Sequence, residues 1–399
     1  MNSFKLIILI VGLMLSIFTV SAQQPMAALN SRINNDSLTQ YLQQSFNDQW
    51  FVYRIPAAEN TRSMCCFNQD ETAVCDLNRT HHGYGSSDSS SYTEHIRLFV
   101  HINKGQVQQV LPVGDHCEVK AEGLGIDWLQ QVSVTQSIQW LKQLIASVGD
   151  GDDNGSLFAL SLHDDKAAAQ AMYELAINNA NEYSAQAVFW LSQRPKDGLA
   201  YLQALYEELP LGEARSQIGF ALSQINQPEA VNLLKQIAQY DPQIEQQADA
   251  IFWLSQTDTE GDIAKFLISI LAQSTSSEIK QKAVFSLSQM KSEIAESELI
   301  KLVTGHNDSE VRSQALFWLA QTKPMLGEKA AINLIQNSQQ SDEQEQAVFV
   351  LSQLPAKHAS VALFKIVKGH YDRHIKKKAL FWLSQSDDED TLKQLENLL

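Results

Sequence analysis

The side chains with the most chemical reach in this 399-residue sequence are four cysteines, Cys65, Cys66, Cys75 and Cys117, all in its N-terminal third. With His81, His82 and His116 they form a set of thiol and imidazole ligands of the kind that binds zinc. Structural zinc sites bring their ligands in short, regular pairs, and this spacing is irregular. It also lacks the Cys-x-x-Cys of a thioredoxin-like redox pair. An even number of cysteines gathered in one region of a chain with an export signal reads as two disulfides. A bond between the neighbours Cys65 and Cys66 would be strained, so each is expected to pair with Cys75 or Cys117.

A second group could hold a hard cation. Asp150, Asp152 and Asn154 alternate as oxygen ligands, and Gly155 falls where such a loop turns, which is the first half of an EF-hand pattern. The twelfth loop position is Ser161 rather than Glu, so the shell for calcium would be incomplete. Residues 148–156 fit an acidic, Gly-rich linker equally well. Weak calcium binding there is the one cofactor the sequence suggests. It contains no Gly-rich phosphate loop and no nucleophile motif. No catalytic residue is assigned, and the chain is expected not to be an enzyme.

The segments that surround these groups define a compartment and two domains. Lys5, the apolar run from Leu6 to Val20 and the small residues at Val20-Ser21-Ala22 have the anatomy of a signal peptide over residues 1–22. The run is shorter than the roughly 20 residues that span a bilayer, which favours cleavage over a retained anchor. No later segment is apolar enough to span a membrane, so the protein is expected to be exported, periplasmic or secreted. The formal net charge of −16 argues against a nucleic-acid binder, which needs a basic surface.

Residues 23–147 read as a small α+β domain held by its cysteines. Trp50 to Pro56 is a strand, and Ile96–Ile102 and Val107–Leu111 flank Asn103-Lys-Gly105 as a hairpin. Gly83 to Ser91 is a Gly/Ser-rich loop. Ser133 and Gln136 form a capping box ahead of a helix face made by Val134, Ile138, Leu141 and Ile145.

From residue 157 to 399 the chain repeats itself. Phe-x-Leu-Ser/Ala recurs at Phe158, Phe189, Phe220, Phe252, Phe285, Phe317, Phe349 and Phe381, spaced 31 to 33 residues apart. Such a period means a solenoid, here with room for two helices in each unit. The residue after each Phe alternates between small (Ala159, Ala221, Ser286, Val350) and Trp (Trp190, Trp253, Trp318, Trp382). Indoles alternating with small side chains can interdigitate between copies, so the tryptophans are read as structural, with a ligand-gripping stripe as the alternative. Gln193, Gln224, Gln256, Gln289, Gln321, Gln353 and Gln385 follow four residues after Phe, and are read as buried amides closing the turns between copies, with a binding track as the alternative.

Asp308, Val311, Arg312 and Ala315 match the Asp-x-x-Val-Arg-x-x-Ala opening of the short HEAT-like repeat first described in phycobilin lyases. The region 157–399 resembles that family, which implies an α-solenoid. The Trp50–Pro56 strand followed by Met64-Cys65-Cys66 is similar to the N-terminal region of exported bacterial HEAT-repeat proteins. Metal-carrying members of the repeat class hold iron on His-Glu pairs, and this sequence has no His-Glu dipeptide. The resemblance implies a binding scaffold with a protein partner on the repeat surface. Alternatives are an enzyme or enzyme accessory of the lyase-like class and a structural cell-envelope protein. The basic stretch Lys365–Lys378, in an otherwise acidic chain, reads as a solvated face or as a docking edge for an acidic partner.

Overall fold

The structure, a computed structural model, describes residues 29, 31–59, 61–62, 65–67, 74–79, 83–85, 92–147, 155–178, 182–194, 196–257 and 261–397. The signal segment 1–22, His81, His82 and the cation-loop residues Asp150, Asp152 and Asn154 lie outside them. The chain divides into two compact units, Met1–Ala168 and Ala169–Leu399.

The first unit contains β1 (Ser31–Asn34), α1 (Leu38–Leu42), β2 (Asp48–Pro56), β3 (Cys65–Phe67), β4 (Val74–Asp76), β5 (Gly83–Gly85), β6 (His95–Asn103), β7 (Gln106–Gly114), β8 (Glu118–Lys120), β9 (Ile126–Leu129), α2 (Val134–Ser147) and α3 (Ser156–Ser161). Five strands form a mixed sheet in the order β1-β9-β2-β6-β7, and β3-β5 and β4-β8 form two small ribbons. The run Trp50-Phe-Val-Tyr is apolar at every position because this sheet is covered on both faces. Trp50 and Val52 pack with Phe99 and all four cysteines. Phe51 and Tyr53 face the other way, onto Trp140 of α2. The hairpin turns where expected, on Lys104 and Gly105, which both take positive φ (51° and 75°) as a tight hairpin turn requires. The capping box is present: the Gln136 amide N–H donates to Ser133 Oγ (3.2 Å), and the Ser133 amide N–H donates to Gln136 Oε1 (3.1 Å).

The first copy of the repeat motif, Phe158–Ser161, lies in α3 and packs on α2 and β7 within this first unit. Gly155 precedes it at φ 83°, and a Cβ there would lie 2.3 Å from the Val110 carbonyl oxygen, so the position admits glycine alone. A buried relay ties α3 down. His163 Nδ1–H donates to the Ala159 carbonyl (2.9 Å), which leaves Nε2 to accept from Ser137 Oγ (2.8 Å), which in turn accepts from the Tyr53 hydroxyl (2.8 Å). Burial raises the Tyr53 pKa, so the phenol stays a donor.

Every secondary-structure element among the described residues of the second unit is a helix. α4 (Lys166–Asn178) leads into seven helix pairs: α5 (Glu182–Ser192) with α6 (Gly198–Glu208), α7 (Glu213–Ser223) with α8 (Pro228–Tyr240), α9 (Ile244–Ser255) with α10 (Asp262–Gln273), α11 (Ser277–Gln289) with α12 (Glu293–Gly305), α13 (Ser309–Thr322) with α14 (Pro324–Asn337), α15 (Ser341–Ser352) with α16 (Ala356–Lys368), and α17 (Arg373–Ser384) with α18 (Glu389–Glu396). The first helices of successive pairs pack directly on one another, and the second helices form the opposite layer. This is an α-solenoid. Lys323 separates α13 from α14, with Pro324 serving as the first residue of the second helix. Asp308 caps α13 by accepting from the Glu310 amide (3.0 Å). Asp372 occupies the equivalent position of α17 but makes no capping hydrogen bond.

Candidate functional site

The repeated Phe-x-Leu-Ser-Gln is first of all a way to end a helix. The Leu is buried in each of the seven pairs. The Ser hydroxyl donates to the carbonyl of the Phe three residues earlier, at 2.6 Å in Ser192, Ser255 and Ser288 and 2.7 Å in Ser223. The following Gln then donates from Nε2 to that Ser oxygen, at 3.0 Å in Gln193, Gln256 and Gln289. Orphan carbonyls of the last turn are thereby satisfied locally. Ala320 breaks the pattern, and α13 runs two residues past that position so that Thr322 Oγ1 donates to the Trp318 carbonyl (2.9 Å).

This corrects the sequence reading of the glutamines. Gln193, Gln224, Gln256, Gln289, Gln321, Gln353 and Gln385 are all exposed, and none closes a turn between copies. An amide at the helix end beside a serine needs no burial to find its partner.

The aromatic residues form a ladder along the first-helix layer. Phe189 stacks on Phe220 (6.0 Å) and Phe252 on Phe285 (6.1 Å). Trp253 lies over Phe220 of the preceding copy (4.8 Å), Trp318 over Phe285 (4.7 Å), and Trp382 over Phe349 (5.2 Å). Each Trp also meets the Phe of its own copy edge-on, as Trp190 does with Phe189 at 5.0 Å. The four tryptophans are half-buried; the rings of Trp253, Trp318 and Trp382 pack between copies while part of each stays open to solvent.

One rung is open. Among the described residues no ring pair joins Phe317 to Phe349, and a groove of about 530 Å³ lies there, with Phe317, Phe349 and Val350 among its walls and Glu310 and Asp342 at its margin. The acids belong to a column that sequence reasoning missed. Glu182, Glu213, Glu245, Glu278, Glu310 and Asp342 each precede the motif Phe by seven residues, two helical turns along the same face. The signal was a second register of the same repeat. Asp249 sits between the two columns, four residues before Trp253, and makes no side-chain hydrogen bond or ion pair among the described residues. Burial raises its carboxyl pKa, and Glu245 raises it further against the pull of Lys282.

Conserving the register of these columns falls to charge pairs between successive copies. Arg215 bonds Asp241 (3.2 Å), Lys280 bonds Asp308 (2.6 Å), and Arg312 bonds Glu343. Arg215, Lys280 and Arg312 all stand five residues before the motif Phe. Tyr206 also donates to Asp241, and burial followed by that hydrogen bond pushes its pKa up to about 12. The basic stretch at the end of the array is partly committed to the same purpose: Lys378 (2.7 Å) and His374 pair with Glu345, and Lys365 (3.5 Å) pairs with Glu328.

In the first unit the sulfurs form two disulfides, Cys65–Cys117 and Cys66–Cys75. Cys65, His116 and Cys117 are close enough to share an ion, but the sulfur–sulfur bond leaves no thiolate to ligate one. His116 Nε2 instead lies 3.8 and 3.9 Å from the two bonded sulfurs.

Fold and site together define the class: an α-solenoid of two-helix units behind a small disulfide-bonded α+β domain. No known protein family matches the chain, and no curated protein does. Among solved structures it is similar to human deoxyhypusine hydroxylase, with 14% identity and a TM-score of 0.27 over 63% of this chain and 96% of that one. It is also similar to the CpcE–CpcF complex of phycocyanin lyase from Nostoc sp. PCC7120 (17% identity, TM-score 0.28, 58% and 92% covered). A third likeness is to YibA of E. coli (16% identity, TM-score 0.34, 63% and 97% covered). No helix among the described residues is long and apolar enough to cross a membrane.

Proposed function

We propose that the protein is an exported, non-enzymatic scaffold whose repeats hold a basic, extended segment of a partner protein along the Phe–Trp face. The observation that carries this reading is the parallel course of two columns, half-buried aromatic rings and carboxylates, with an open groove at Phe317 and Phe349. Rings flanked by carboxylates suit lysine and arginine side chains, which are attracted both to the ring face and to the acid. One such contact already exists within the chain, where Lys282 Nζ stands 5.9 Å from the Phe252 ring centre. First-turn acids also complement helix dipoles, at about 0.3–1 kcal/mol each. That role does not account for Asp249, which lies mid-helix, half-buried and, among the described residues, unpaired. Repeat stacks present extended surfaces of this type, and each unit adds contacts in register with the next. Export is supported by the anatomy of residues 1–22 and by two disulfides, which persist in oxidising compartments.

The test is cross-linking and pull-down from the exporting compartment with the full chain, its Phe349→Ala variant and its Glu310→Gln/Asp342→Asn variant. Both variants should lose the partner that the wild type captures, and capture should weaken as salt rises. Capture that survives both variants, or substrate turnover that depends on one polar side chain, overturns the reading.

A further inference from the structure

A groove of about 480 Å³ lies in the first unit, between α1, α2 and the turn of the β6–β7 hairpin. Its apolar wall carries the rings of Phe46 and Trp140, both half-buried. Neither ring is loose. Trp140 is wedged against Phe51 (6.1 Å) and Tyr53 (6.5 Å), and Phe46 stacks on Tyr41 (4.7 Å). The aromatic surface is therefore in place before any ligand arrives, which removes an ordering cost from binding.

The polar wall is made of amides. Gln43, Gln136, Gln139 and Gln143 border the groove, and three of them, Gln136, Gln139 and Gln143, stand together with Trp140 along α2. Gln136 is engaged in the capping box. The side chains of Gln43, Gln139 and Gln143 make no hydrogen bond among the described residues and are exposed. Each offers two N–H donors and a carbonyl acceptor. No charged side chain lines the groove, although the protein carries a formal net charge of −16.

We propose that this groove binds a neutral saccharide. A sugar hydroxyl both donates and accepts, as a free primary amide does, and one face of a pyranose is a flat patch of C–H groups that lies well on an indole. The volume falls within the roughly 300–1,000 Å³ range of small-ligand sites, enough for a short oligosaccharide. An ionic ligand would find no counter-charge here. The acid and aromatic columns of the repeats are chemically unlike this groove, so the two sites are independent and the saccharide site does not rest on the scaffold reading.

The probes are cellotetraose, maltotetraose and chitotetraose, titrated calorimetrically into the full chain at low and high sodium chloride. The expected result is saturable heat with at least one of them, unchanged by salt because neither side is charged. Gln139→Ala/Gln143→Ala should weaken that binding by about tenfold or more, as two hydrogen bonds are lost. These two side chains are exposed and unbonded, so the melting temperature should not move. Trp140→Ala should abolish binding, and Trp140→Phe, which keeps a ring on Phe51 and Tyr53, should restore part of it. Absence of heat with all three probes and with a wider neutral-glycan array overturns the proposal. So does binding that survives the Gln139/Gln143 change, or saturable binding of neutral peptides in place of any glycan.

Discussion

Arg312 of α13 donates to Glu343, the second acid at the start of α15, so the Arg of one copy is bonded to the next copy. Glu343 is buried, and the Arg312 guanidinium also donates to the His306 carbonyl, which completes the clamp on the preceding turn. Arg312→Ala would leave Glu343 buried and uncompensated, and should cost about 3–5 kcal/mol. Burial works against ionisation of Glu343, but Arg312 and Ser338 win and hold its carboxyl below the ordinary range. The stability this contributes is therefore present above the unfolded-state pKa and lost as pH falls through the lower, folded value. Urea unfolding at pH 7 and at progressively acid pH should show the wild type converging on Arg312→Ala only at the acid end.

Trp253 tests what the indoles contribute. It lies on Phe220, and a Cβ placed on Gly219 would come within 3.0 Å of its ring. Trp253→Ala should cost about 2 kcal/mol, below the ~3–5 kcal/mol of a fully buried aromatic because part of the ring remains in water. The loss should fall on α7, α9 and their neighbours, where hydrogen exchange can locate it. Unchanged melting with lost partner capture would mean that the ring serves the ligand alone.

The two disulfides should differ in value because their loops differ. Cys65–Cys117 spans 52 residues and Cys66–Cys75 spans 9. Chain-entropy arguments give about 4 kcal/mol for the longer and about 2.5 kcal/mol for the shorter. Paired Ser variants, Cys65/Cys117 against Cys66/Cys75, should rank in that order in equilibrium unfolding of the first unit. Four free thiols in the denatured wild type would remove the basis for the comparison.

The solenoid was legible because its instructions are local and repeated: Phe, Leu, Ser and Gln act within a single helix end, and eight copies raise the pattern above chance. The hairpin and the Ser133–Gln136 capping box were legible for the same reason. β1 and β9 were not. Each has four residues, they pair in parallel, and β9 contains Asp127, which reads as a loop residue. Asp127 is tolerated because Tyr41 (2.8 Å) and Arg32 (3.0 Å), distant in sequence, both donate to it. The acidic column escaped notice because each first-turn acid looks like an ordinary helix start, and only alignment on the motif Phe shows all six in register.

Asp249 separates stability from function. It is half-buried in α9 and unpaired among the described residues, and its pKa is raised chiefly by burial. A carboxyl whose folded-state pKa lies above its unfolded value binds its proton more tightly when folded. Stability therefore falls as pH rises from the ordinary carboxylate range through the raised value, and stays reduced above it. Asp249→Asn removes that penalty. The variant should melt higher than the wild type at pH 7, and the gain should vanish once the pH is low enough to protonate the wild-type acid in both states. If the face binds basic segments, the same substitution should weaken partner capture, because a lysine or arginine from the partner would lose the half-buried carboxylate it pairs with. Melting curves across pH, alongside pull-down with the purified variant, read both effects at once. A more stable Asp249→Asn with undiminished capture would leave Asp249 as unrelieved strain with no part in binding.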